Sequence, residues 1–204
     1  VCALLALCIT SCSATGNEQR GRLLPAAQVC ESLLPPKVAG KLDALAGLRE
    51  FTQHHPRAIG SFASRLRGLE ASHRGQDDHE LCRVTADVEK SRLFTVAIYF
   101  QWFDAKMLNP RSKQRGSKTT PYPLGVHGEA YDFGATIYFS CPLGKPTSDG
   151  KLLRAGLWTA NTKLTGQAGR NARITILNAA ARKIARQLDC LDTANLPETF
   201  HKVT

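Results

Sequence analysis

The residues best suited by type and spacing to do chemistry in this chain are cations. Arg111, Lys113, Arg115 and Lys118 fall in one stretch, RSKQRGSK, where glycine and serine leave the backbone free to mould to a partner. Cations clustered in this way bind polyanions by releasing their counterions, whether the phosphates belong to nucleic acid or to lipid headgroups. A second set, Arg170, Arg173, Arg182, Lys183 and Arg186, belongs to a helical stretch or its approach. Arg182 and Arg186 step by four with Asn178 along one side of that helix. Both join the four connector cations as candidates for anion binding, while a solvated helix face explains most of the second set. The net charge of +10 points the same way.

The templates for catalysis and for metal binding fail in turn. There is no G-x-S-x-G elbow, no H-E-x-x-H pair and no phosphate loop with its lysine. Ser148-Asp149-Gly150-Lys151 satisfies S-x-x-K, in which the lysine activates the serine when both sit at the start of a helix. Here the four residues fall in a turn flanked by glycine and proline, so no catalytic residue is assigned. His54, His55, His73, His79, His127 and His201 contain no pair four apart on a helix. Asp77-Asp78-His79-Glu80 lacks the spacing and glycine of a calcium loop. No metal and no cofactor is expected. Tyr122, Tyr131 and Trp158 are candidates for a stacking surface, whereas alternation puts Trp102 on an apolar strand face.

The elements that must position these groups are legible in the hydrophobic pattern. Val29, Leu33, Leu34, Val38, Leu42, Leu45 and Leu48 recur mostly every three or four residues, which predicts a helix whose regular part opens at Pro35-Pro36 and stops at Gly47. A second helix is predicted between Pro56 and Leu69. Cys82, Val84, Ala86 and Val88 alternate with polar residues, and so do Phe94, Val96, Ile98, Phe100 and Trp102. These two runs predict an antiparallel hairpin. From Asp104 to Phe133 the pattern lapses for about thirty residues, a connection long enough to be functional in its own right. Ala135, Ile137, Phe139 and Cys141, then Leu153, Ala155 and Leu157, predict a second hairpin. Ile174, Leu177, Ala181, Ile184 and Leu188 mark the clearest helix. With 43% of residues hydrophobic, the expected fold is a single α+β domain over residues 26–204. It has an antiparallel sheet of about four strands, helices packed on one face and two disulfides.

The beginning of the chain bears on location. Val1 to Ile9 is almost wholly small or apolar, far short of the ~20 residues of a spanning helix, and the chain then turns polar. That pattern fits the apolar region of a signal peptide. Ile9-Thr10-Ser11-Cys12 resembles the lipobox of bacterial prolipoproteins, which implies diacylation at Cys12. Residues 1–11 are then the signal peptide, with its positive n-region missing, and residues 12–25 a tether. An ordinary cleaved signal, giving a secreted protein, and a buried strand are the alternatives.

Export decides how the other cysteines are read. Cys2 and Cys8 fall inside the signal, leaving Cys30, Cys82, Cys141 and Cys190 to meet an oxidising compartment where pairing is the default. Four cysteines permit three connectivities. Joining each strand to the helix of its own half gives Cys30 with Cys82 and Cys141 with Cys190. Each bond closes a loop of about fifty residues, worth on the order of 4 kcal/mol in the chain-entropy model.

Leu124-Gly125-Val126-His127-Gly128-Glu129-Ala130-Tyr131 resembles a glycine-acidic-alanine-aromatic segment found in small actinobacterial cell-envelope lipoproteins of unknown function. The resemblance implies extracytoplasmic binding or scaffolding, makes Glu129 part of a turn leading into a sheet, and carries no activity. The expectation is a noncatalytic protein anchored on the outer face of the cytoplasmic membrane. Its partners would be the membrane through the lipid anchor, an anionic lipid or envelope polymer, or another protein. Two other classes stay open. A membrane-anchored hydrolase would show a nucleophile, a base and an oxyanion donor converging in one pocket, and an extracellular nucleic-acid-binding protein would prefer duplex to lipid vesicles.

Overall fold

The computed structural model describes residues 22–54, 57–70, 76–89, 92–108, 118–143 and 150–201. Cys12, the signal region, most of the tether, Arg111, Lys113, Arg115 and Ser148 lie outside the described residues.

The longest strands are the ones the alternation predicts. β3 (His79–Glu89) and β4 (Arg92–Asp104) form one antiparallel hairpin. β7 (Gly134–Ser140) and β8 (Lys151–Ala160) form the other. β4 and β8 then pair from Thr95 with Ala160 to Asp104 with Lys151, fusing the hairpins into one sheet. The sheet is wider than expected. β1 (Leu23–Pro25), β2 (Glu50–His54), β5 (Thr120–Tyr122) and β6 (His127–Tyr131) extend it to eight antiparallel strands in the order β1-β2-β3-β4-β8-β7-β6-β5.

The expected sheet of about four strands is therefore corrected to eight. The added strands are short, and sequences such as EFTQH and HGEAY lack the apolar alternation that identifies a strand. Two further boundaries move with them. The end of the expected tether, Leu23–Pro25, is an edge strand, and β5 and β6 occupy the latter part of the expected connection from Asp104 to Phe133.

Each outer strand is three residues long and carries a proline, Pro25 or Pro121. Proline has no N–H to offer a further strand, so both edges are blunted against edge-to-edge pairing.

The helices are α1 (Val29–Ser32), α2 (Pro36–Ala46), α3 (Ile59–Leu69) and α4 (Gly166–Gln187). α2 opens on Pro36 and ends on Gly47, which takes the left-handed conformation at φ +69° and donates its N–H to Asp43 O. α1 is not regular, because Cys30, Glu31 and Ser32 all have φ between +54° and +56°. Phe94, Val96, Ile98, Phe100 and Trp102 of β4 turn to the helices and are buried. Phe62 of α3 meets Phe100 edge-on with ring centroids 5.9 Å apart, and the Trp102 indole N–H donates to Leu66 O at 2.8 Å. Leu153, Ala155 and Leu157 of β8 share that face with Ala135, Ile137 and Phe139 of β7, and α4 lays Ile174, Leu177, Ala181 and Ile184 into the same core.

Cys30 is bonded to Cys82 and Cys141 to Cys190, with Cα separations of 5.7 and 5.0 Å. Each bond ties a strand to a helical region of its own half, as the order of elements predicts.

The width of the sheet leaves one face open. Eight strands at ~4.8 Å spacing span roughly 34 Å. Three helices about 10 Å wide suffice to cover that breadth once. Among the described residues no helix lies on the second face.

Candidate functional site

Strand register fixes which side chains stand together on the open face, because residues directly opposite in an antiparallel pair share a side of the sheet. Three rows cross β4, β8, β7 and β6. The first is Gln101, Arg154, Tyr138 and His127; the second is Tyr99, Gly156, Thr136 and Glu129; the third is Ala97, Trp158, Gly134 and Tyr131. Arg83 of β3 extends the third row.

Two glycines allow the tyrosines to lie down. A Cβ on Gly156 would stand 2.1 Å from Cε2 of Tyr99, and one on Gly134 2.7 Å from Cε2 of Tyr131. Each ring thus covers a strand position that has no side chain of its own. Phe103 packs edge-on against Tyr138 at 4.9 Å, and Phe133 against Tyr131 at 4.9 Å.

Arg154 organises the centre. Its guanidinium lies 5.3 Å from the Tyr99 ring centroid, and one terminal nitrogen donates to Gln101 Oε1 at 2.7 Å and to Asp78 Oδ1 at 3.2 Å. The other reaches the Tyr99 hydroxyl at 3.5 Å, and register sets Arg154 directly opposite Tyr138. The buried Nε of Arg154 has no partner among the described residues. Burial pushes the Tyr99 and Tyr138 phenols above the usual tyrosine range, an effect that the arginine's charge only partly opposes. Both therefore stay protonated at neutral pH. A guanidinium has only donors, so the Tyr99 phenol oxygen accepts from Arg154 and keeps its own proton to donate elsewhere.

The face is aromatic and balanced in charge. Trp158 is 44% exposed and Phe133 43%, whereas Trp102 on the helix-covered side is 2% exposed. Arg154 is paired with Asp78 and Arg83 with Glu80, and His127 Nε2 stands 3.6 Å from Glu129 Oε2. His54 Nε2 meets Thr85 Oγ1 at 2.7 Å further along the sheet, and no other described residue hydrogen-bonds that ring.

The cations singled out by the sequence are placed elsewhere. Lys118 is exposed just before β5. Arg186 is exposed in the last turn of α4, where a positive charge complements the helix dipole. Arg182 is half-buried and donates to Leu196 O, and Lys183 Nζ donates to Ser32 O at 2.9 Å. Arg170 is buried against Asp132 at 2.5 Å. Arg173 is fully buried, donating to Thr159 Oγ1 at 2.9 Å and Thr162 Oγ1 at 2.8 Å. Burial holds its guanidinium down at about 10. Much of the basic set on α4 thus fastens that helix to the rest of the chain. Lys151 of the S-x-x-K pattern donates to Glu70 O at 2.5 Å. Among the described residues no group of three His, Cys, Asp or Glu is arranged to hold a metal.

Sequence reading passed over Tyr99, Gln101, Tyr138 and Arg154. Their alternation with core residues puts them on the face away from the helices, but nothing in that pattern brings Tyr99, Gln101, Tyr138 and Arg154 together, which takes the register of three strands. No protein-family model, curated protein or solved structure matches this chain.

Proposed function

We propose that this protein is a noncatalytic binding protein of the cell envelope, lipid-anchored at Cys12 on the outer face of the cytoplasmic membrane, with the open face of its sheet as the ligand surface. The observation that carries the reading is that face itself. Exposed Trp158 stands on the same face of the sheet as Tyr99, Tyr138 and Arg154, and exposed Phe133 packs on Tyr131 of that face. The two disulfides support an oxidising compartment. The likeness of Ile9–Cys12 to a lipobox and of Gly128–Tyr131 to segments of small actinobacterial envelope lipoproteins supports the anchor and the setting. No helix among the described residues is long and apolar enough to cross a membrane. The net charge of +10 favours approach to anionic lipid or envelope polymer through Arg111, Lys113, Arg115, Lys118 and Arg186, while Arg182 is engaged with Leu196 O.

Fractionation of cells expressing the full chain tests the anchor. Cys12→Ala is expected to move the protein from the membrane to the soluble exported fraction, since stable anchoring requires the lipid. Retention in the membrane contradicts the anchor. In the same cells, replacement of Arg111, Lys113, Arg115 and Lys118 by serine is expected to leave the anchored protein in the membrane.

A further inference from the structure

We propose that the open face binds a neutral glycan, with sugar rings stacked on Trp158 and Phe133 and their hydroxyls held by the groups around Arg154. The inference rests on the open face being the ligand surface, and adds the chemical class of the ligand. Charge makes the first selection. A nucleic-acid strand or another polyanion needs cations free to neutralise its phosphates. On this face Arg154 already faces Asp78 and Arg83 faces Glu80, while Glu129 adds a further carboxylate. A phosphate backbone laid there would meet three carboxylates, so the face suits an uncharged ligand.

Strand geometry makes the second selection. An extended peptide joins a sheet through an open edge, and Pro25 and Pro121 blunt both edges here. What remains is a ligand that lies flat across the strands.

A pyranose ring has an apolar C–H side and a rim of hydroxyls that both donate and accept. Each half finds its counterpart on this face. Trp158 and Phe133 offer ring surface to the C–H side. The Tyr99 phenol, its oxygen engaged by Arg154, and the Tyr138 phenol, opposite Arg154 in register, present O–H donors to sugar oxygens. The Glu129 carboxylate accepts from sugar hydroxyls. Trp158 and Arg154 are four residues apart on β8, or ~14 Å at 3.4 Å per residue. That is the reach of an oligosaccharide segment rather than a single ring.

The test uses the folded, disulfide-bonded protein and three probes at millimolar concentration: hexasaccharides of β-1,4-linked N-acetylglucosamine, α-1,4-linked glucose and α-1,6-linked mannose. Oligothymidylate and anionic phosphatidylglycerol vesicles are run beside them. Isothermal titration calorimetry is the readout for the parent and both variants; in the parent tryptophan emission is followed as well, because Trp158 is exposed and Trp102 is buried with its N–H bonded to Leu66 O. The expected result is a saturable change with at least one hexasaccharide that is insensitive to salt. It should weaken about tenfold or more in Trp158→Ala, as for loss of a central aromatic anchor. It should also weaken in Tyr138→Phe, which removes a hydroxyl and keeps the ring. Circular dichroism confirms that both variants are folded. Binding of oligothymidylate or vesicles alone, lost in Trp158→Ala, overturns the glycan and leaves the open face as the ligand surface. Hexasaccharide binding unchanged in both variants, or no binding of any probe, overturns the inference and the open-face reading together.

Discussion

At the scale of single residues, the open face depends on what Gly156 lacks. The Tyr99 ring occupies the space a side chain there would fill, and from that position it supports the Arg154 guanidinium. Gly156→Ala is therefore expected to cost about 1–3 kcal/mol, the usual range for overpacking, read from denaturant melts. It should also uncouple Tyr99 from Arg154; a variant as stable as the parent contradicts the packing described. The phenols give a second prediction. Burial raises Tyr99, Tyr122 and Tyr138 above 10.0 in the folded protein. An acid whose folded value is raised contributes stability that is complete below its unfolded value and is lost as pH rises through the folded value. Stability should accordingly fall above pH 10, and tyrosinate absorbance should appear later in the folded protein than in denaturant. Coincident titrations would mean that these phenols are not buried.

At the scale of elements, the two disulfides close loops of similar size, their partners lying 52 and 49 positions apart in sequence. Chain entropy alone assigns each on the order of 4 kcal/mol. Their surroundings differ. Cys30 is followed by Glu31 and Ser32, and all three are left-handed residues with a Cβ, an arrangement that costs roughly 1–3 kcal/mol per residue. Releasing Cys30 lets that turn relax. Cys30→Ala with Cys82→Ala is therefore expected to lose less stability than Cys141→Ala with Cys190→Ala, measured by urea unfolding; the reverse order contradicts it. The pairing was legible in the order of helices and strands, whereas the left-handed turn was not, since nothing in Val-Cys-Glu-Ser signals positive φ. The long strands were legible because their apolar residues alternate without a break from Phe94 to Trp102. β2, β5 and β6 were not, because Glu50, Gln53, His127 and Glu129 occupy strand positions that sequence reading assigns to loops. They are strands because a neighbouring strand satisfies their backbone groups, which is a property of the whole sheet.

At the scale of the whole molecule, the missed site lies on strands that the sequence announces. Tyr99, Tyr138, Arg154 and Trp158 stand on β4, β7 and β8, on the face away from the helices, and the added strands β1, β2, β5 and β6 widen that face to eight strands. The central claim, that this surface takes the ligand, is tested most directly through the two indole N–H resonances of the nitrogen-15-labelled protein, titrated with solubilised envelope polysaccharide. The account predicts that the Trp158 signal shifts together with the amides of Tyr99, Tyr138 and Arg154, while that of Trp102 stays in place. Shifts confined to α2 and α4, with the Trp158 signal unmoved, would contradict it.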